Sequence, residues 1–189
     1  RVLDSTSALA LEDIPKKLLV IGGGYIGLEL GTVYCELGSS VSVVEMLPGI
    51  LMGCDPDLSR ILEKRLRSKF AEIKIQTKVT KMEDTGHSVK VFFEDKDGKA
   101  SSEEYDKVLV AIGRRPNSKW LGLENTKVQV NDRGFITIDG QRRTTDPKIY
   151  AIGDIAGDPM LAHKASHEGR VAVAAIAGHK TAFEPKAIP

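Results

Sequence analysis

Several features that would place a chain in a class at first sight are scarce in these 189 residues. There are two cysteines, Cys35 and Cys54, too few for a disulfide framework or a four-thiolate zinc site. Such sparing use of thiols fits a reducing compartment: the cytoplasm, or the mitochondrial matrix in a eukaryote. Long hydrophobic runs are missing as well. The longest, Val171 to Ala177, falls far short of the roughly 20 apolar residues that span a bilayer. Neither sign of charge dominates: 27 Lys and Arg against 26 Asp and Glu leave +1. That balance argues against a nucleic-acid groove or a polybasic membrane surface, both of which need a one-signed field. The first residue is Arg1 rather than Met, and Arg1 to Glu12 lacks the basic-then-apolar pattern of a signal peptide. A piece of a longer polypeptide is therefore expected.

The composition that remains is that of a chain able to bury a core, 41% hydrophobic and 28% charged. At about 150 residues per domain, it has room for one large domain or two small ones. Lys17 to Ile21 reads as a strand buried on both faces, ended by Gly22, Gly23 and Gly24. Ile26, Leu30, Val33 and Leu37 then recur at helical spacing up to Gly38, and Val41 to Val44 is apolar and β-branched. Strand, glycine turn, helix and strand in about 30 residues make a βαβ unit. Asp55-Pro56 opens a second helix with Leu58, Ile61, Leu62 and Leu66 on one stripe. Alternation at Val89, Val91 and Phe93, followed by Asp97-Gly98, predicts an antiparallel hairpin before the buried strand Val108 to Ile112. Beyond Gly113, short strands are expected at Val128 to Val130, Phe135 to Ile138 and Ile149 to Ile152, and a helix from about Ala162 to Ala177.

Gly22-Gly23-Gly24-Tyr25-Ile26-Gly27 spells G-x-G-x-x-G. Alone, the pattern can be a tight turn. Here it follows a strand, opens a helix, and is answered by Glu45 at the end of the next strand, the context that a dinucleotide fingerprint requires. Gly22 allows the sharp turn, Gly24 admits a pyrophosphate to the backbone, and Gly27 brings the helix close to the sheet. The helix N-terminus supplies partial positive charge. Glu45 can accept hydrogen bonds from both ribose hydroxyls, each charge-assisted bond contributing about 1.5 to 3 kcal/mol. It would repel a 2′-phosphate, and Met46 to Leu51 offers no arginine to receive one. NAD rather than NADP is the expected cofactor, although a solvated acid at a strand end is the plain alternative. Glu29, in the first turns of the helix, reads either as a partner of the helix dipole or as a contact for the nicotinamide half.

Further segments extend the pattern: Val43-Val44-Glu45-Met46, Ala111 to Asn117, Asp132 to Ile136, Tyr150 to Asp154, and Met160 to Ala165 with Glu168-Gly169. In this order they resemble the pyridine nucleotide-disulfide oxidoreductases over essentially the whole chain, and most closely the branch that oxidises dihydrolipoamide. The resemblance implies that Gly22, Gly23, Gly24, Tyr25, Ile26, Gly27, Leu28 and Glu29, with Glu45, bind NAD. It implies that Val79 lies against the adenine and that Gly113 and Arg114 line the nicotinamide side. Asp154 would meet the ribityl and pyrophosphate side of FAD, with Met160, Leu161, Ala162 and His163 closing over the flavin. The implied partners are lipoyl domains, the acyltransferase core of 2-oxoacid dehydrogenase complexes and a second subunit.

Parts of that machinery have no counterpart in the sequence. Cys35 and Cys54 lack the Cys-x4-Cys spacing of the redox disulfide and read as incidental thiols. None of His87, His163, His167 and His179 stands in the His-Pro context of the family's base. His163 and His167, four apart on a helix, lack a third metal ligand at suitable spacing. No second G-x-G-x-x-G unit for the ADP half of FAD is found, and Ile188-Pro189 falls where the dimerisation domain would begin. The expected architecture is a Rossmann-like, doubly wound α/β domain over 1–114, with its core at about 12–114 and an antiparallel excursion, followed by an incomplete FAD-domain segment over 115–189. Binding of NAD without catalysis is the expected property. The rivals are a fragment of a sister enzyme, such as a mercuric reductase or a soluble transhydrogenase, and a non-catalytic NAD-sensing module.

Overall fold

The computed structural model describes residues 1–188. The chain divides into two compact units, Arg1–Gly113 and a second that begins at Arg114.

The first unit is built on a five-stranded parallel sheet in the order β1-β8-β2-β3-β4. Its strands are β1 (Val2–Leu3), β2 (Lys17–Ile21), β3 (Ser40–Val44), β4 (Glu72–Lys74) and β8 (Lys107–Val110). Three helices come from the same unit: α1 (Ser5–Leu9), α2 (Tyr25–Glu36) and α3 (Pro56–Arg67). Successive strand residues point to opposite faces, and the core divides accordingly. Leu18, Val20, Val41, Val43 and Leu109 join Leu28, Leu30 and Tyr34 of α2 and Leu66 of α3. Leu19, Val44 and Val108 face the other way, into Val89, Val91, Phe93 and Tyr105. These come from a three-stranded antiparallel sheet, β5 (Thr77–Asp84), β6 (Val89–Asp95) and β7 (Ala100–Tyr105). The expected antiparallel excursion is thus what covers the second face of the parallel sheet. Gly98, at φ +76°, turns β6 into β7 where Asp97-Gly98 predicts it.

A polar group of side chains ties the two sheets together. Glu103 of β7 accepts from Lys17 Nζ at 2.7 Å and from the Tyr105 hydroxyl at 2.8 Å, with Lys74 Nζ 3.6 Å away. The ammonium groups of Lys17 and Lys74 lie 5.0 Å and 5.1 Å from the ring centres of Tyr105 and Phe93. Burial pushes the Glu103 carboxyl up, but the bonds from Lys17 and Tyr105 and the two lysine charges outweigh it and leave its pKa lowered. Burial and the negative Glu103 raise the Tyr105 phenol.

Three sequence expectations change. The core begins before residue 12: β1 pairs with β8, Ala8 of α1 is 0% exposed, and Tyr34 donates to the Ala8 carbonyl at 2.7 Å. Asp4 and Ser7 cap α1 reciprocally. The stripe on α3 is buried only at Leu66, with Leu58 62% and Ile61 71% exposed. The helix lies on the sheet by its C-terminal end, and Asp55 precedes it without a side-chain cap bond. In the second unit, the strands expected at 128–130, 135–138 and 149–152 shrink to isolated bridges, Val130 with Ile136, Ile138 with Thr144 and Arg143 with Tyr150. Side chains capture the backbone there. Asn131 Oδ1 accepts from the amides of Arg133 and Phe135, and Asp139 Oδ1 from those of Gln141 and Arg143, which favours tight turns over ladders.

Helix α4 (Ala162–Ile176) organises the second unit. Lys164 and Glu168 lie on its buried stripe with Val171, Ala172 and Ala175. Glu168, 1% exposed, accepts from Arg142 Nη1 at 2.9 Å, from Lys164 Nζ at 3.2 Å and from the Gly153 amide at 2.6 Å. Lys164 Nζ also donates to the carbonyls of Gly153 (3.2 Å) and Gly157 (2.8 Å). The Arg142 guanidinium stacks on Phe183, 4.7 Å from its ring centre.

Two expectations about stability follow from these networks. Because the folded pKa of Glu103 is lowered, its contribution is full above the unfolded carboxylate value of about 4.5 and is lost as pH falls through the folded one. Glu103→Gln should therefore destabilise by about 1 kcal/mol at pH 7 and flatten the acid limb of urea-unfolding stability, a half-exposed site giving no more. Glu168→Ala should cost about 3–5 kcal/mol, since it leaves the buried Lys164 and the partly buried Arg142 without their carboxylate. The double change Lys164→Met with Glu168→Leu should cost less, and equal losses would mean that the pairing is irrelevant.

Candidate functional site

The glycine turn is shaped by contacts that admit no side chain. Gly22 follows β2, takes φ +109° and donates to the Val44 carbonyl at 2.9 Å. A Cβ there would stand 2.3 Å from the Ala111 carbonyl oxygen, in the backbone that leaves β8. At Gly27 a Cβ would stand 2.5 Å from Gly22 O and 2.9 Å from Val20 Cγ1, so this glycine lets α2 lie against β2. Gly24 differs: a Cβ there would meet nothing within 4 Å. As the N-cap of α2 it makes no side-chain cap bond, and the first helical bond runs from Leu28 N to Gly24 O. The N–H groups of the first turn, which have no partner within a helix, thus border open space. An uncapped helix N-terminus beside an open glycine suits an anion that brings its own acceptors.

Glu45 stands at the end of β3, its backbone fixed by Glu45 N to Lys74 O and Thr77 N to Glu45 O. Its carboxylate faces the glycine turn: Oε2 accepts from Gly23 N at 2.6 Å and Oε1 from Leu47 N at 2.8 Å. Each oxygen keeps a lone pair for an incoming hydroxyl. The structure therefore brings Gly22 to Gly27 and Glu45 together around one open cradle. Of the neighbouring residues, Ile26 and Leu28 pack into the core, whereas Tyr25 and Glu29 are exposed. Tyr25, Leu28, Glu29 and Thr32 form one wall of a cleft of about 260 Å³, with Leu51, Leu62 and Leu66 opposite. Val79 is half-buried on β5, just before the bulge that shifts the register between Val79 and Lys81. Gly113 is exposed at φ +145°.

In the second unit, Asp154 lies in a 3₁₀ turn over Gly153–Ala156. Arg114 Nη1 donates to Asp154 Oδ2 at 2.9 Å and to the Met160 carbonyl at 3.3 Å, so three of the residues named from sequence meet. Leu161 is the N-cap of α4 and makes no side-chain cap bond, while Ala162 and His163 in the first turn are exposed. The turn that carries Asp154 is held from below by Lys164 and Glu168 through both backbone groups of Gly153.

That support is the part sequence reasoning missed. Lys164 and Glu168, at i and i+4, enter from sequence only within the segments that carry the resemblance and without a role; the available signal was their place on the stripe of Val171, Ala172 and Ala175. Cys35 lies on α2 with its thiol 3.5 Å from the Lys69 carbonyl, Cys54 is exposed in the loop before α3, and both are free. His167 stacks edge-on against Phe183 with ring centres 4.9 Å apart. Among the described residues no three His, Cys, Asp or Glu side chains gather as a metal site, and no helix is long and apolar enough to cross a membrane.

Comparison with known proteins gives a consistent set of relatives. The chain is 50% identical over its full length to a dihydrolipoyl dehydrogenase of Vibrio parahaemolyticus and 52% identical to one of Haemophilus influenzae. It spans only about 40% of the length of these relatives. Among solved structures it is similar to LpdA of Mycobacterium tuberculosis, with TM-score 0.84 and 30% identity, over 97% of this chain and 39% of that one. The HOCl-induced flavoprotein disulfide reductase RclA of Escherichia coli superposes with TM-score 0.85 and 28% identity, over 95% of this chain and 40% of that one. The family model for pyridine nucleotide-disulphide oxidoreductases matches residues 1–169, the whole of the dinucleotide-type unit and the turn carrying Asp154, and the chain belongs to that family.

Proposed function

We propose that the chain is the nucleotide-binding part of a dihydrolipoamide dehydrogenase, whose complete form passes electrons from dihydrolipoamide to NAD. The observation that carries this reading is the open cradle at Gly24, with α2 uncapped behind it and Glu45 at its rim. Residues 1–114 act as the NAD domain. The pyrophosphate lies on the backbone of Gly24 to Gly27, the adenosine ribose donates to Glu45, Val79 flanks the adenine, and Tyr25, Glu29, Gly113 and Arg114 border the nicotinamide side. A 2′-phosphate would meet Glu45 at close range, where two like charges about 4 Å apart repel by about 1 kcal/mol in water and ~4 kcal/mol near a protein surface.

Residues 115–189 belong to the FAD domain. Asp154, Met160, Leu161, Ala162 and His163 are the groups that would hold the flavin: an acceptor carboxylate beside an uncapped helix N-terminus fits a molecule carrying both hydroxyls and negative charge. When bound, FAD supplies two-electron transfer between a dithiol and NAD. The protein groups here bind and orient; Cys35 and Cys54, one within α2 and one in an exposed loop, are not a redox pair. In the complete enzyme the partners are lipoyl domains, the acyltransferase core of a 2-oxoacid dehydrogenase complex and a second subunit. Identity near 50% to dihydrolipoyl dehydrogenases, against 28% to the reductase RclA, favours this substrate over that of a sister enzyme.

Calorimetric titration of the 189-residue chain should show NAD binding at least tenfold tighter than NADP, and equal or tighter NADP binding would overturn the role of Glu45. Gly24→Ala is a sharper probe of the cradle. With φ −79° and free space around it, the change should alter unfolding stability by no more than about 0.5 kcal/mol. The added methyl group should nonetheless weaken NAD at least tenfold, because it occupies the place of the phosphates. Unaltered affinity would move the pyrophosphate elsewhere.

A further inference from the structure

Gly23 sits at a position where the fingerprint tolerates any residue, yet in this chain both its backbone groups are hydrogen-bonded. Its N–H donates to Glu45 Oε2 at 2.6 Å, and its carbonyl accepts the Leu51 amide at 2.8 Å. A Cβ on Gly23 would stand 3.1 Å from both Glu45 Oε2 and Ile50 Cγ2. The second carboxylate oxygen of Glu45 holds the Leu47 amide at 2.8 Å, and the Leu47 carbonyl accepts from Gln76 N at 3.0 Å. One side chain therefore joins the glycine turn to the loop that follows β3.

Peptide planarity turns this restraint into a statement about the ligand. In a trans peptide the C=O and N–H point in opposite directions. The bond from Leu51 to Gly23 O therefore turns the Gly24 N–H away from the 47–51 loop, and the space around Gly24 is open. The bond from Gly23 N to Glu45 fixes the preceding plane in the same way, and with it Gly22 O, the atom that Gly27 must approach. Both planes that lead into the first turn of α2 are set before any ligand arrives.

We propose that Glu45 is a positioning residue for the pyrophosphate cradle as well as an acceptor for the ribose, a role that rests on the NAD reading above. It holds Gly23 and the 47–51 loop in register, so that the donors of the cradle are aimed in the free chain. The ribose hydroxyls use its remaining lone pairs, and the two functions coexist on one carboxylate. Glutamine cannot replace it, because an amide presents one acceptor oxygen to two N–H donors and sets its own N–H₂ against the other.

A ligand without the ribose hydroxyls separates the two functions. The 189-residue chain, wild type and with Glu45→Gln or Glu45→Ala, is titrated with NAD and with an NAD analogue whose adenosine ribose carries neither a 2′ nor a 3′ hydroxyl. If Glu45 only read the ribose, all three proteins would bind the analogue equally. The positioning role instead predicts that both variants lose about tenfold or more against the analogue, the equivalent of one charge-assisted bond, with a larger loss against NAD. Amide exchange in the ligand-free proteins supplies the second measurement. Glu45→Ala should release Gly23 and Leu47, and Glu45→Gln at least one of them, while Val20 and Val43, in the core of the sheet, stay protected. Equal analogue affinity in wild type and variants, or unchanged Gly23 and Leu47 protection in Glu45→Ala, overturns the proposal. Absence of NAD binding by the wild type overturns the NAD reading instead, so the two failures are distinct.

Discussion

The close approach of three backbone segments at the end of β2 governs the first unit. Gly22 leaves 2.3 Å between where a Cβ would be and the Ala111 carbonyl, and Gly27 leaves 2.5 Å above Gly22 O. Any side chain at either position must push β8 or α2 off β2. The parallel register of β2 with β8, the burial of Leu28 and Leu30 against Val20, and the aim of the first turn of α2 all depend on that contact. The proposed binding and the observed packing therefore make the same demand at these two glycines. At Gly24 they separate, because nothing in the fold fills the space beside it. A glycine without a steric reason in the free chain is best explained by what approaches it from outside.

The legible parts of the fold were those whose signal is local. Lys17 to Ile21, the helix after the glycine turn, Val41 to Val44 and the Asp97-Gly98 hairpin each carry their periodicity or turn chemistry within a few residues, and each forms; the face expected on α2 is corrected, since Val33 and Leu37 are exposed and Leu28 and Tyr34 are buried beside Leu30. The two-residue strand β1 is different in kind. Val2 and Leu3 pair with Val108 and Leu109, more than a hundred residues away, and no local pattern announces such a partner. The bridges of the second unit failed as strands for the opposite reason. Their sequences alternate well enough, but Asn131 and Asp139 divert the neighbouring amides into turns. Leu58 and Ile61 show that helical periodicity identifies a face and not its burial: the stripe is real, and only its last member reaches the sheet.

The site was legible to a similar degree and for similar reasons. The fingerprint and Glu45 could be read because glycine spacing and a strand-end acid are positional signals, and the structure places Gly23 and Glu45 in direct contact. The meeting of Arg114 with Asp154 and Met160 spans 40 residues or more, and spacing could not foretell it. Lys164 and Glu168 were obscured by their chemistry, since charges four apart on a helix are ordinarily solvated. Their burial is explained by what they hold. Gly153 offers both backbone groups where, among the described residues of this unit, no sheet receives them, and the charged side chains of Lys164 and Glu168 take them up.

The two units thus solve one problem by different means, and the difference bears on how each tolerates change. In the first, the groups proposed to face the ligand are backbone amides positioned by glycines and by one half-buried carboxylate, so a mutation acts through sterics or through Glu45. In the second, the candidate flavin turn hangs on an ion cluster of Arg142, Lys164 and Glu168, whose net positive charge is kept out of water. Such a cluster is weak as a source of stability, because desolvation offsets most of its attraction. It is strong as a geometric device: with Glu168 1% exposed, no shift of the turn could exchange its partners for solvent. The near-zero net charge of the chain agrees with both solutions. An anionic ligand of the kind proposed would be met by oriented amides and by a few cations already committed to partners, and a broad basic surface would add attraction without adding direction.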